Sequence, residues 1–141
     1  MKRSLELAQE FLFDENETIV ELSHVEIAPL ALEITLITCG LADALTLRSK
    51  INQRVEIYQK TSTNLRATIE RISADSIRVY LAKNQGEYFQ AVLLRAYRDE
   101  MAETNHIHLE GFSGEREVDL TFLFERYQPP MSAKEAAKRM K

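Results

Sequence analysis

The stretch His106-Ile107-His108-Leu109-Glu110 places two of the chain's three histidines one residue apart inside an alternation of polar and apolar residues. On a strand, successive side chains point to opposite faces, so His106, His108 and Glu110 line one face while Ile107 and Leu109 line the other. Two imidazoles and a carboxylate in that arrangement are a donor set for zinc or another divalent metal, with a position left open for water. The same set also makes an acidic, histidine-bearing contact surface, and it matches the solvated face of an ordinary half-exposed strand.

The next strand-like run, Glu117 to Phe124, adds to this face. A four-residue loop, Ser113-Gly114-Glu115-Arg116, sets Glu110 opposite Asp119, His108 opposite Thr121 and His106 opposite Leu123. A two-residue Ser113-Gly114 loop sets His108 opposite Asp119 instead. Both registers keep the parity, so His106, His108, Glu110, Asp119 and Thr121 share one face either way. Glu110 beside Asp119 is a like-charge pair, which calls for a cation nearby.

Cys39 is the second chemical candidate, a lone cysteine at Thr38-Cys39-Gly40, where the pattern changes from strand-like to helical. A sulfur near a helix N-terminus meets free N–H groups and the positive end of the helix dipole, which favour the nucleophilic thiolate. Catalysis would need a histidine base as well. A small buried hydrophobe is the simpler role for such a residue. Gly111-Phe112-Ser113-Gly114 spells the G-x-x-G of a nucleic-acid clamp but sits at a hairpin, away from the helices that motif joins. Four glycines leave no phosphate-binding loop and no dinucleotide fingerprint. Tyr58, Tyr80, Tyr88, Tyr97 and Tyr127 fall at spacings of amphipathic core-edge residues.

The elements that must position these residues follow from hydrophobic period. Ser4 to Phe13 carries apolar residues at spacings of three and four and reads as a short helix. Thr18 to Ile27 reads as a strand whose alternation slips near Ser23-His24, and Ala28-Pro29-Leu30 breaks it. Leu32 to Thr38 alternates as a strand. From Leu41, a stripe of Leu41, Ala44, Leu47, Ile51, Val55 and Tyr58 reads as a helix, although Arg54 to Tyr58 alternates too and leaves residues 54–72 open between helix and strand. Ile77, Val79 and Leu81 mark a strand. Tyr88 to Ala102 is a helix with Phe89, Leu93, Ala96, Tyr97 and Met101 at helical spacing. A final hairpin has Val118, Leu120, Phe122 and Phe124 as its core face.

Hairpins followed by helices predict an α+β domain over residues 1–127: one mainly antiparallel sheet of five to six strands, two main helices packed on one face, and a short N-terminal helix. Gln128-Pro129-Pro130 ends that domain, and residues 128–141 form a basic tail, flexible or a short helix started by Ser132-Ala133-Lys134-Glu135. Of the net charge of −4, the tail contributes +3 through Lys134, Lys138, Arg139 and Lys141 against Glu135, which leaves −7 on residues 1–127. An acidic body disfavours nucleic acid and suits a protein partner with a basic surface. A single cysteine excludes an internal disulfide, no apolar run is long enough to span a bilayer, and Glu6 and Glu10 interrupt what would be a leader, so the expectation is cytoplasmic.

These observations favour a small non-catalytic protein-interaction module, of the adaptor, inhibitor or immunity type, with a homo-oligomer admissible and no cofactor required. His106, His108, Glu110, Asp119 and Thr121 form its expected contact surface. The alternative is a small enzyme using a metal, zinc for example, at His106, His108, Glu110 and Asp119, or a thiol at Cys39.

Overall fold

The computed structural model describes residues 1–60, 66–98 and 106–124. In chain order the elements are β1 (Lys2–Leu7), β2 (Leu12–Phe13), β3 (Glu17–Leu22), α1 (His24–Thr38), β4 (Ala44–Ser49), β5 (Arg54–Gln59), β6 (Ala67–Ser73), β7 (Ser76–Leu81), α2 (Lys83–Arg98), β8 (His106–Leu109), β9 (Gly111–Ser113), β10 (Arg116–Glu117) and β11 (Asp119–Phe124). They build two sheets, ordered β1-β4-β5-β7-β6-β9-β10 and β2-β3-β11-β8. Among the described residues no helix is long and apolar enough to cross a membrane.

The expected single, mainly antiparallel sheet is corrected: both sheets are mixed. β1 runs parallel to β4, β5 to β7, β6 to β9 and β3 to β11. The pairs β4–β5, β6–β7, β2–β3, β8–β11 and β9–β10 are antiparallel. Local hairpins are therefore present, but the pairings that join them are parallel and distant in sequence, and no local pattern encodes those. α1 carries the chain out of the smaller sheet and into the larger one.

Three elements differ from the sequence reading. The N-terminal segment is a strand, not a helix: Arg3, Leu5 and Leu7 turn inward, Lys2, Ser4 and Glu6 outward, and the short apolar run satisfies both periods until β4 supplies a ladder. The Arg3 guanidinium then forks onto Glu33 of α1, with Nε 2.8 Å from Oε2 and Nη2 2.7 Å from Oε1. That hydrogen bond, with the carboxylate's charge behind it, raises the Arg3 pKa and gives the buried Glu33 a partner.

The expected strand over Leu32 to Thr38, His24 to Ile27 at the end of the expected strand Thr18 to Ile27, and the expected break at Ala28-Pro29-Leu30 all lie inside α1. Its buried residues Ile27, Leu30, Ala31, Ile34 and Ile37 follow the helical period, but Val25 and Leu32 on the solvent side are apolar as well and blur the stripe. The start signal is Ser23-His24-Val25-Glu26, a capping-box spacing: Glu26 Oε1 accepts the Ser23 N–H at 2.8 Å, and Oε2 accepts the Ala8 N–H at 2.8 Å. The helix stops at Gly40, whose φ of +76° suits glycine; Gly40 N–H donates to Ile37 O and Leu41 N–H to Leu36 O, the paired bonds of a Schellman ending.

The expected helix from Leu41 is instead the hairpin β4–β5. Leu45, Leu47, Val55 and Ile57 are fully buried, whereas Leu41 and Ile51 of the supposed stripe are 65% and 54% exposed. Residues 54–59 and 67–73, open in the sequence, are strands. α2 covers the expected helix from Tyr88 but begins earlier, at Lys83, with Phe89, Leu93 and Ala96 buried; the expectation for 99–102 falls outside the described residues. α1 packs on α2 and on β1, β4 and β5, while α2 reaches β8. Gly86 permits the helix approach, since a Cβ there would stand 3.2 Å from Thr38 Oγ1. The Phe89 and Phe122 rings, 4.5 Å apart, join α2 to the smaller sheet in one continuous core.

Candidate functional site

Two polar faces are open to description, and the sequence pointed to one of them. On the smaller sheet, His108 pairs with Thr121 and His106 with Leu123, the register given by the four-residue loop. Ile107 and Leu109 are buried, His106, His108 and Glu110 exposed, and Asp119 is half-buried. Thr121 is 5% exposed, because β11 lies between β3 and β8 and its neighbours cover it.

The side chains on this face bind one another. Thr121 Oγ1 lies 2.6 Å from Glu17 Oε1 and donates its only proton there, so it accepts from His108 Nδ1 at 3.1 Å. His108 Nε2 faces Asp119 Oδ2 at 3.1 Å, a hydrogen bond when that nitrogen also carries a proton. Asp119 and Glu17 are themselves register partners on parallel strands, so His108 and Thr121 stand between two carboxylates. The chain Asp119, His108, Thr121, Glu17 ties β8, β11 and β3 together. Asp119 Oδ1 is buried without a hydrogen-bond partner among the described residues. The cation called for beside Glu110 is Arg66, at 3.8 Å.

An acid, an imidazole and a hydroxyl in a row have the composition of a nucleophilic triad. Here the hydroxyl is buried and committed to Glu17, which leaves it neither accessible nor activated. His24 opens α1 rather than lying on a strand. No group of three or more His, Cys, Asp or Glu side chains among the described residues is arranged to hold a metal ion. Cys39 caps the C-terminal end of α1, so the free N–H groups and positive dipole end expected beside it lie at the opposite end of that helix.

The second face was not singled out in the sequence. On the side of the larger sheet away from its main hydrophobic core, the registers align three rows. Lys2, Ala44, Tyr58, Tyr80, Thr68 and Phe112 form one; Ser4, Thr46, Glu56, Arg78 and Glu70 the next; Glu6, Arg48, Arg54 and Ser76 the third. Most of these side chains are half-exposed. The Tyr58 and Tyr80 rings stack with centroids 5.3 Å apart and 25° between planes. Arg78 donates to Glu56 at 3.1 Å and lies 5.8 Å from the Tyr58 centroid, and the hydrogen bond to Glu56, followed by one to Tyr80, raises its pKa. Arg66 covers the Phe112 ring at 4.8 Å. Arg48 Nε is buried with no hydrogen-bond partner among the described residues. The sequence signal for this face was the alternation Arg54-Val55-Glu56-Ile57-Tyr58 beside Ile77-Arg78-Val79-Tyr80, which puts arginine and tyrosine on one side of neighbouring strands.

No family model matches the chain, and no curated protein matches it. Among solved structures it is similar to the crystal structure of Drosophila Suppressor of Fused, at 14% identity and a TM-score of 0.45, over 86% of this chain and 27% of that one. The chain thus spans little more than a quarter of that protein's length.

Proposed function

We propose that the chain is a non-catalytic protein-interaction module, of the adaptor, inhibitor or immunity type, that engages another protein through the outer face of its larger sheet. The observation that supports this reading is the row of stacked Tyr58 and Tyr80 with Arg78, Arg66 and Phe112 beside them. Tyrosine and arginine dominate interface hot spots because they bring large area and directional polar groups at low entropic cost. Here stacking and the Glu56 ion pair hold them in place before contact. Arg48 and Arg54, neighbours in the third row, suit a partner that offers carboxylates. The His106, His108 and Glu110 strip is a second candidate contact, favoured by the exposure of its three side chains, and would suit a basic partner.

The test is native mass spectrometry of the chain isolated from its own host, comparing wild type with the double variant Tyr58→Ala/Tyr80→Ala. The wild type carries a protein partner at fixed stoichiometry, and the folded double variant loses it. A partner retained by the double variant would move the contact elsewhere, and a folded wild type that carries no protein would remove the interaction reading.

A further inference from the structure

A separate site lies on the inner side of the larger sheet, where the two sheets part. β6 sends Ala67 and Ile69 into the core, and the next residue of the same parity is Arg71, the register partner of Ile77, which is itself buried and paired with Val55. Past Ile69 the strand leaves the core, so Arg71 is a solvent-accessible cation at the rim of that inner face. Arg71 is exposed at the sheet edge but tethered there. Its Nε donates to Ser73 O at 3.1 Å, its Nη2 to Ala74 O at 3.3 Å, and its guanidinium lies 5.3 Å from the centroid of Phe13 on the smaller sheet.

The space this creates is a cleft of about 410 Å³, with Ile69, Ile77 and Val118 as an apolar floor, Phe13 as a wall, and Arg71 and Arg116 as cations. That volume lies within the range of roughly 300–1,000 Å³ common to small-molecule sites. Two carboxylates also border the cleft. Asp14 Oδ1 accepts the Glu15 N–H at 2.6 Å, and Glu15, 84% exposed, stands 3.8 Å from Arg116, which donates as well to Glu15 O and Asn16 Oδ1. Arg116 is therefore matched. Arg71 is held only by carbonyls and an aromatic face, and no carboxylate is within ion-pair distance of it among the described residues. Backbone anchoring leaves its planar fork oriented and its charge uncompensated, the condition in which arginine reads a carboxylate.

We propose that this cleft binds a small organic acid: a flat or aromatic apolar body seated between Phe13 and the Ile69, Ile77 and Val118 floor, with its carboxylate on Arg71. The site is on the opposite side of the larger sheet from the proposed protein contact, and neither proposal depends on the other.

The probe is 2-naphthoate, titrated into the whole chain and followed by amide NMR shifts, with neutral 2-naphthamide as its counterpart of the same shape. The acid is expected to saturate one site with shifts centred on Phe13, Ile69, Ile77 and Val118, and the amide to bind about tenfold or more weakly, since it forfeits a charge-assisted hydrogen bond. R71Q is expected to remove the difference between acid and amide, while R116Q keeps most of it. Equal binding of acid and amide, shifts centred elsewhere, or no saturable binding would overturn the proposal. The acid-to-amide comparison uses the unaltered chain, so it decides the matter even if a variant fails to fold.

Discussion

The His108 cluster on the smaller sheet and the tyrosine-arginine face of the larger one are both polar, both on strands, and both rich in groups that recognise ligands. They differ in what those groups already bind. His108, Thr121 and Glu17 are linked in series within a few ångströms and draw three strands together, with the hydroxyl sealed from solvent. On the larger sheet the half-exposed Tyr58 and Tyr80 rings stack side by side, and Arg54 and Arg48 adjoin as register partners with no ion pair to a carboxylate among the described residues. Residue types that suggest chemistry serve architecture when they satisfy one another. Contact with another molecule belongs to the surface that leaves capacity over.

The largest effect is expected at Thr121. Thr121→Val keeps the shape and removes the hydroxyl that joins His108 to Glu17, leaving both without their shared partner; a stability loss of about 1–3 kcal/mol in urea unfolding is expected, with partner capture intact. An unchanged midpoint would show that the series of bonds holds nothing. Tyr80→Ala sharpens the opposite side. Its stacking on Tyr58 spans neighbouring strands, so the fold loses only about 0.2–1 kcal/mol while partner binding falls by a hot-spot amount, about 2 kcal/mol or more. Binding and stability falling by the same small amount would place the tyrosines with the scaffold.

The smallest effect is expected outside both faces. Asp43 is held below the usual carboxylate range by its hydrogen bond to the Met1 ammonium and by that group's charge. A depressed folded value adds stability above the unfolded pKa, near 4, and the gain is lost as pH falls through the folded value. Asp43→Asn should therefore lower stability slightly at neutral pH, converge with the wild type as pH falls through the acid range, and leave both faces unaltered, read from thermal unfolding between about pH 2 and pH 7.

The contrast also explains what could be read in advance. The last hairpin's shared face followed from parity alone, and its register is one of the two that the loop left open, because residues 106–124 form it with neighbours close in sequence. α2 was equally plain, with one apolar stripe and charged residues opposite. α1 was hidden because Val25 and Leu32 made its solvent side apolar and Pro29 resembled a break, although Ser23 to Glu26 and Gly40 marked both its ends. β1 was hidden for another reason: its strand state depends on β4, some forty residues away, and parallel partners leave no local signature. The tyrosine-arginine face shares that dependence, since its rows exist only once β4, β5, β7 and β6 lie side by side. The histidine pair drew attention because it is contiguous in sequence.

Hydroxyl-radical footprinting of the chain with and without its partner separates the two faces directly, since tyrosine, phenylalanine and histidine side chains all report. The account predicts protection of Tyr58, Tyr80 and Phe112 on complex formation, with His106 and His108 as reactive as in the isolated chain. Protection of His106 and His108 with the tyrosines unchanged would contradict it.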